Sequence, residues 1–460
     1  MFLKLRLYIT PDQLTDIVTP PTMPDWPTGN LQIAGLLCLG YLSVVGFFRR
    51  RRYNTVHEKY TPKYKAGTLT LQDAQEIIGL SMMYDMPALM NYALAFALFK
   101  TYAIPSISKI LCDTKELSHP DKISKRYADT EICICECYCV GIISTLKPSL
   151  PLATFMFCPI SGKPRTDVPE NERCHEEDPR ANIAISRVNW LHSRYKISDG
   201  DYLYTLCLFI IEPVRWAERF GWRALSELER SALLMFWTEI GHRMNIKDIP
   251  ETWEDLVQWS QKYEENMVPA QTNHDVASLT TEELLHVVPE RFGIKKFARK
   301  VSICLLDDRT RIAMMQPAQP WYLHAYTHTV LHTFSFIQHH FCLPRIKGEL
   351  IVSLEMPKFN SQDGPVRMHP TRWQPKPWYK PQAVGLWGSL KDRIAVSIGF
   401  YDEMPGKKYK TEGYTLEDIG PLSLEKAGRE ETMRMAEDLQ GCPIRAPWFA
   451  GMNSARKVER

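Results

Sequence analysis

The clearest candidates for chemistry in this chain are its histidines. His192 lies in Arg187-Val-Asn-Trp-Leu-His-Ser-Arg-Tyr195. On a helix, Val188, Asn189, His192 and Tyr195 share one face by the i, i+3, i+4 rule. An imidazole on that largely apolar stripe, beside Trp190 and Leu191, suits two roles. It can be a hydrogen-bonded core residue, or a neutral ligand offered to haem iron from an apolar wall. In the second role its other nitrogen donates to a carbonyl or carboxylate, which fixes the tautomer. The pattern alone leaves both open.

Other constellations are weaker. His324, His328 and His332 recur every four residues and share a helix face, but no carboxylate stands near them to complete a metal site. Packing or an amphipathic surface is the favoured reading there. Glu239-Ile-Gly-His242 and Glu283-Leu-Leu-His286 match the E-x-x-H element of di-iron bundles. Such a site also needs a glutamate from each of two further helices. Cys133, Cys135, Cys137 and Cys139 would share a face only on a strand, against a helical surrounding pattern. Hydrolase, dinucleotide, P-loop and zinc-protease signatures are all missing, as is any paired C-x-x-C.

The elements that must position these residues are mainly α, without repeats. Helical periodicity runs through Leu69–Leu111, Lys122–Cys139, Ala181–Tyr195, Asp201–Phe220, Ser226–Met244, Thr252–Asn266, Thr281–Val288, Tyr322–Phe341 and Thr415–Leu439. Thr70 and Asp73 form a capping pair, and Met86–Tyr102 is apolar nearly all round. Such a helix belongs in a core or against a membrane; core packing is favoured over lining a tunnel. One strand-like run, Arg393–Phe400, interrupts a Pro-, Trp- and Lys-rich stretch.

Leu31 to Phe48 carries no charge and is followed at once by Arg49 to Arg52. At ~1.5 Å per residue this run spans ~27 Å, about a hydrocarbon core. It is expected to be a single transmembrane anchor, with the arginines holding the bulk of the chain in the cytosol. The chain then divides into a polar tail (1–30), the anchor (31–48), a helical core (49–345) and a Pro/Trp-rich and helical part packing on that core (346–460). With 56 Lys+Arg against 53 Asp+Glu there is no basic excess to hold a nucleic acid. Twelve cysteines in 460 residues are too sparse for a secreted disulfide framework, so reduced, cytosol-facing thiols are expected.

Several collinear blocks resemble the fungal mpaB-type ER-bound oxygenases, of one superfamily with the bacterial rubber oxygenases. They are the His192 block, Leu203-Tyr-Thr-Leu206, Glu212-Pro-Val-Arg-Trp216 and Ile240–Ile246. Phe96–Pro105 with Ser106–Lys109, Lys125–Thr130, Glu412–Pro421 and Gly441–Ile444 extend the likeness over most of the chain. The resemblance implies a membrane-anchored haem-b oxygenase of the endoplasmic reticulum that cleaves a C=C bond in a prenyl or terpenoid side chain with O2. His192 falls at the family's proximal haem ligand, and Arg126 and Thr130 at its Arg-x-x-x-Thr element beside the haem. The chain departs from the rubber enzymes at Asp129, where they carry lysine. It departs also in the long interval from Thr130 to His192, whose excess, Gly141–Asp178, has the character of an insertion or a translated intron. A non-haem di-iron oxygenase and a catalytically inactive, membrane-anchored interaction protein docking through Trp373–Trp378 are the alternatives. Nothing in the sequence identifies a redox partner.

Overall fold

The computed structural model describes residues 28–133, 178–286, 288–346 and 376–444, with 348, 367–370, 373 and 448. Cys135, Cys137 and Cys139, the tail before residue 28, and 141–177 lie outside the described residues. Among those described the architecture is mainly α, as expected. No strand forms, and the β contact is an isolated bridge between Met368 and Tyr414.

Helices α1 (Thr28–Arg49), α2 (Arg51–Lys65) and α3 (Leu71–Gly79) lead through a π-helical turn at Leu80–Asp85 into α4 (Pro87–Thr101). Helices α5 (Pro105–Thr114) and α6 (Pro120–Cys133) follow. Next come α7 (Arg180–His192), α8 (Asp199–Phe220), α9 (Glu227–Arg243), α10 (Trp253–Tyr263) and α11 (Gln271–Leu284). The chain continues through α12 (Ile294–Ile303), α13 (Asp308–Ala313), α14 (Trp321–Phe341), α15 (Gly385–Ser397) and α16 (Arg429–Gln440).

Local chemistry sets many of the starts. At α3 the Thr70 hydroxyl accepts from the Asp73 N–H at 3.1 Å while the Asp73 carboxylate accepts from the Thr70 N–H at 3.0 Å. Ser226 and Glu229 repeat this reciprocal cap at α9. Pro87 and Pro105 occupy first-turn positions, where a missing N–H costs nothing. Helix α4 is a core helix: Met90, Ala93, Leu94 and Ala97 are buried, and its main partner is α8. Behind it Phe209 of α8 stacks on Trp237 of α9, with ring centroids 4.8 Å apart.

Helix α1 differs. Leu36, Leu37, Leu39 and Phe47 face outward, and the helix is long and apolar enough to cross a membrane. Its C-terminal half meets the rest of the fold, through Tyr41 and the buried Val45 and Arg49. Arg49 donates to the carbonyls of His339 (3.2 Å), Gln338 and Cys342, filling the acceptors left open at the end of α14. Arg52 stacks over the Tyr84 ring and donates to the Arg345 carbonyl at 2.8 Å. The expectation that the whole arginine quartet faces water or headgroups therefore holds for Arg50 and Arg51 alone.

Other expectations are corrected. Arg393–Phe400 is not a strand: Leu386, Leu390, Ile394 and Ile398 form an i, i+4 row, and residues up to Ser397 belong to α15, with a turn after it. The helix expected over Thr415–Leu439 begins only at Arg429. Before it, Gly420 and Gly428 adopt φ of +134° and +71°. A Cβ on Gly428 would collide with the Trp190 indole, so the chain presses glycine backbone against α7. The helix expected at Thr281–Val288 is the end of α11, which starts at Gln271. Helices α2, α12 and α13 had no counterpart in the periodicity reading.

This C-terminal stretch is held by one buried cation. The Arg187 guanidinium donates to the carbonyls of Ile419 (2.8 Å), Ala427 (2.6 Å) and Leu424 (2.8 Å). Replacing it with methionine removes a donor from all three carbonyls, of which, among the described residues, only that of Leu424 keeps another, the Ala427 N–H. A buried acceptor left bare costs about 1–3 kcal/mol. Arg187→Met is expected to lower unfolding stability by about 3–5 kcal/mol, read from chemical denaturation in detergent. A loss under about 1 kcal/mol would contradict the role given to this clamp.

Candidate functional site

Six helices, α4 to α9, wall a cavity whose lining is mostly apolar: Leu98, Ile107, Val188, Phe209, Trp237 and Ile240 among others. Positions open to the centre of a water molecule occupy about 210 Å³ of it. One water needs roughly 15 Å³ by that measure, so this is a ligand-sized space and not a packing defect. The polar groups on its wall are few. They include Arg126 and Thr130 from α6 and His192 from α7, so the three residues singled out in the sequence meet here.

His192 is the last residue of α7, and that helix is tied down on both sides. Besides the Arg187 clamp, Asn189 donates to the Arg243 carbonyl at 2.9 Å, and Arg243 donates back to the Asn182 side chain at 2.7 Å. His192 is half-buried and lines the cavity. Its Nδ1 is buried without a hydrogen-bond partner among the described residues. The tautomer-fixing bond expected for the second nitrogen is therefore not seen here. Burial, helped by the positive charge of Arg126, lowers the imidazole pKa to about 4, so the ring is neutral at physiological pH.

Helix α6 presents two i, i+4 pairs on adjacent faces. Arg126 and Thr130 face the cavity, and the Thr130 hydroxyl donates to the Arg126 carbonyl at 2.7 Å, leaving its oxygen free to accept. Arg126 has no carboxylate partner among the described residues. Lys125 and Asp129 turn the other way. Lys125 donates to Asp129 at 2.8 Å and to the Gly420 carbonyl at 2.7 Å, and the Tyr379 hydroxyl donates to Asp129 at 2.6 Å. Asp129 is thus a buried tether for the C-terminal part.

The cavity also holds groups that sequence reasoning missed. Tyr102, whose pKa burial lifts to about 12, keeps its proton. Asp201 lines the wall with one carboxylate oxygen accepting from Ser106 (2.8 Å) and Tyr263 (2.9 Å), while the other is buried and unpartnered. In sequence Asp201 passes for an ordinary acid in the first turn of α8, three residues after the Ser198 cap. A second cavity adjoins the first across α4, where Ala95 belongs to both walls; Phe96, Trp216, Arg299 and Ile303 line its far side.

The other candidates do not assemble. Glu239 pairs with Arg243 at 2.8 Å and His242 is exposed, whereas His286 pairs with Asp402 at 2.5 Å. His328 is bonded to Arg219 at 2.9 Å. Among the described residues no three His, Cys, Asp or Glu side chains converge to hold a metal ion.

The described residues are thus mainly helical, with one apolar helix long enough to cross a membrane and a neutral imidazole on the wall of an apolar cavity. The family described as ER-bound oxygenase mpaB/B'/rubber oxygenase, catalytic domain, matches residues 175–332, which include His192. The chain is 29% identical to the ER-bound oxygenase mpaB' of Penicillium brevicompactum, across 87% of its own length and 90% of that protein. It is 30% identical to the ER-bound oxygenase mpaB of Penicillium roqueforti, across 64% of its length and 92% of the relative. The chain belongs to the mpaB family of oxygenases.

An orphaned nitrogen in an apolar wall is a cost to the ligand-free fold of about 1–3 kcal/mol. His192→Leu is therefore expected to raise the melting temperature of the ligand-free protein. The unfolded chain takes up a proton near pH 6.5 that the folded chain refuses until about pH 4. Wild-type stability thus falls as pH drops through that window, and the leucine variant escapes the loss. Melting curves at pH 7.5 and pH 5 that run parallel would contradict this.

Proposed function

We propose that this oxygenase binds haem b through His192 and uses O2 to cleave a C=C bond in a prenyl or terpenoid side chain. In the balanced reaction one oxygen atom goes to each former alkene carbon, giving two carbonyl products, and no external reductant is consumed. The observation that carries this reading is the unpartnered, neutral His192 imidazole facing a ligand-sized apolar cavity together with Arg126. A neutral nitrogen with a free lone pair is the donor a haem iron takes.

Bound haem would supply the iron that activates dioxygen. The protein's own residues do the rest. Arg126 brings a fixed positive charge with no carboxylate partner among the described residues, suited to a haem propionate or to negative charge developing on oxygen. Thr130, one turn further along α6, donates to the Arg126 carbonyl and keeps its oxygen free to accept on the same wall. The Tyr102 hydroxyl stays protonated and can donate. Apolar side chains around them exclude water and match a hydrocarbon chain. An apolar prenyl substrate partitions into bilayers, so anchoring by α1 raises the concentration the enzyme meets. The arginines after α1 put the catalytic part in the cytosol, and the short apolar run suits the thinner bilayer of the endoplasmic reticulum. The family names of both relatives point to that membrane.

The test is an absorption spectrum of the full chain expressed with haem supply, beside its His192→Ala variant. An intense Soret band in the parent, lost in the variant, is expected. A band that survives would move the ligand elsewhere, and no band in either would end the haem reading. Arg126→Ala is expected to lower kcat for O2-dependent cleavage of a prenylated aromatic by about 10²-fold while the Soret band remains.

A further inference from the structure

Helix α14 carries a continuous apolar row on its outer face. Tyr322, Tyr326, Val330, Phe334, Ile337 and Phe341 are spaced by three or four residues and are all exposed. The neighbouring row packs inward: Leu323, Thr327 and Ser335 are buried, and the Ser335 hydroxyl donates to the Phe220 carbonyl at 2.7 Å. Trp321, 80% exposed, stands at the head of the helix. Helix α12 continues the surface. Its Phe297 meets Tyr326 edge-on at 5.4 Å, and Ile294 beside it is exposed, as is Phe292 just before the helix.

What covers this surface is set by where α14 is fastened. Its C-terminal end is bonded to α1 through Tyr41, whose hydroxyl donates to the Phe341 carbonyl at 2.6 Å, and through Arg49. Tyr41 lies inside the uncharged run and Arg49 at its end. That places the end of α14 at the level where α1 leaves the hydrocarbon. Tyrosine and tryptophan favour that depth. On α12, Lys296 and Lys300 flank the apolar face, are exposed, and have no acid partner among the described residues, as in helices that lie on anionic bilayers.

We propose that α14 and α12 lie in the membrane interface as a second, monotopic contact, so that the oxygenase core rests on the bilayer instead of hanging from α1. The inference rests on the reading of α1 as a membrane span. It has a consequence for substrate supply, because Arg299, Ser302 and Ile303 of α12 also wall the second cavity. Lipid-facing helix and cavity wall are one element.

The test uses the full chain in phosphatidylcholine vesicles containing a phosphatidylcholine with a diazirine on its acyl chain. Peptide mass spectrometry after illumination is expected to find lipid adducts on the exposed row of α14 and on α12 as well as on α1. Tyr326→Glu with Ile337→Glu should abolish the α14 adducts and leave those on α1. Adducts confined to α1 would overturn the proposal while sparing the anchor. Absence of adducts on α1 as well would overturn both. Cross-links between copies along α14, without lipid adducts there, would assign the surface to a second copy of the chain. Adding phosphatidylinositol should increase the α12 adducts, and equal labelling with and without it would remove the role given to Lys296 and Lys300.

Discussion

Two adjacent carbonyls near the C-terminus, those of Ile419 and Gly420, accept from Arg187 of α7 and Lys125 of α6 respectively. The walls of the cavity depend on this junction, because α7 brings His192 and α6 brings Arg126 and Thr130. The segment satisfies only some of its own carbonyls, those of Pro421 and Leu424 accepting from the Leu424 and Ala427 N–H groups, so donors for Ile419 and Gly420 come from outside. A planar guanidinium reaches three of them at once, which the single ammonium of a lysine could not do from the same geometry. Lys125 is charge-balanced by Asp129, and Tyr379 completes that carboxylate's bonding. The irregular C-terminal stretch thus fixes the distance between the two walls, though none of its own side chains lines the cavity.

That arrangement explains how much could be read in advance. His192 stood out by its place on an apolar helix stripe, whereas Arg126 and Thr130 were singled out only through the resemblance of their block to the mpaB-type oxygenases. The Thr70–Asp73 cap was legible for a similar reason, since both partners lie within one turn. Arg49 was misjudged because its partners lie about 290 residues away, and four consecutive arginines after an apolar run look like a membrane flank. Asp129 counted as a departure at the cavity, whereas its side chain points to Tyr379, 250 residues on. The run Arg393–Phe400 alternated well enough for a strand within eight residues, and only the longer row from Leu386 reveals the helix. Helix α12 escaped notice because none of its apolar residues is fully buried, two of them face outward, and its charges dominate the window.

The cavity itself is a departure from stability-driven design. Buried polar atoms are normally paired, yet this space leaves His192 Nδ1 and one oxygen of Asp201 without partners. Filling it with leucine and phenylalanine would serve folding better. Such unsatisfied groups persist where surrounding structure over-determines them and where a ligand is to meet them. Here the over-determination is visible: Asn182 and Asn189 of α7 are both bonded to Arg243 of α9, and Arg187 to the C-terminal stretch. The strain is local, and the clamps that hold it are distributed.

The same logic separates the two arginines with unusual roles. Arg187 is buried and fully used by carbonyls, so it is structural, whereas Arg126 borders an apolar space and has no carboxylate partner among the described residues. A cation in such a place raises the cost of protonating His192, and burial acts in the same direction. Both effects keep the imidazole neutral down to about pH 4, well below neutral pH. Arg126 therefore acts on the imidazole before any ligand arrives: its charge adds to the larger effect of burial in favouring the neutral form, the one able to donate to a metal.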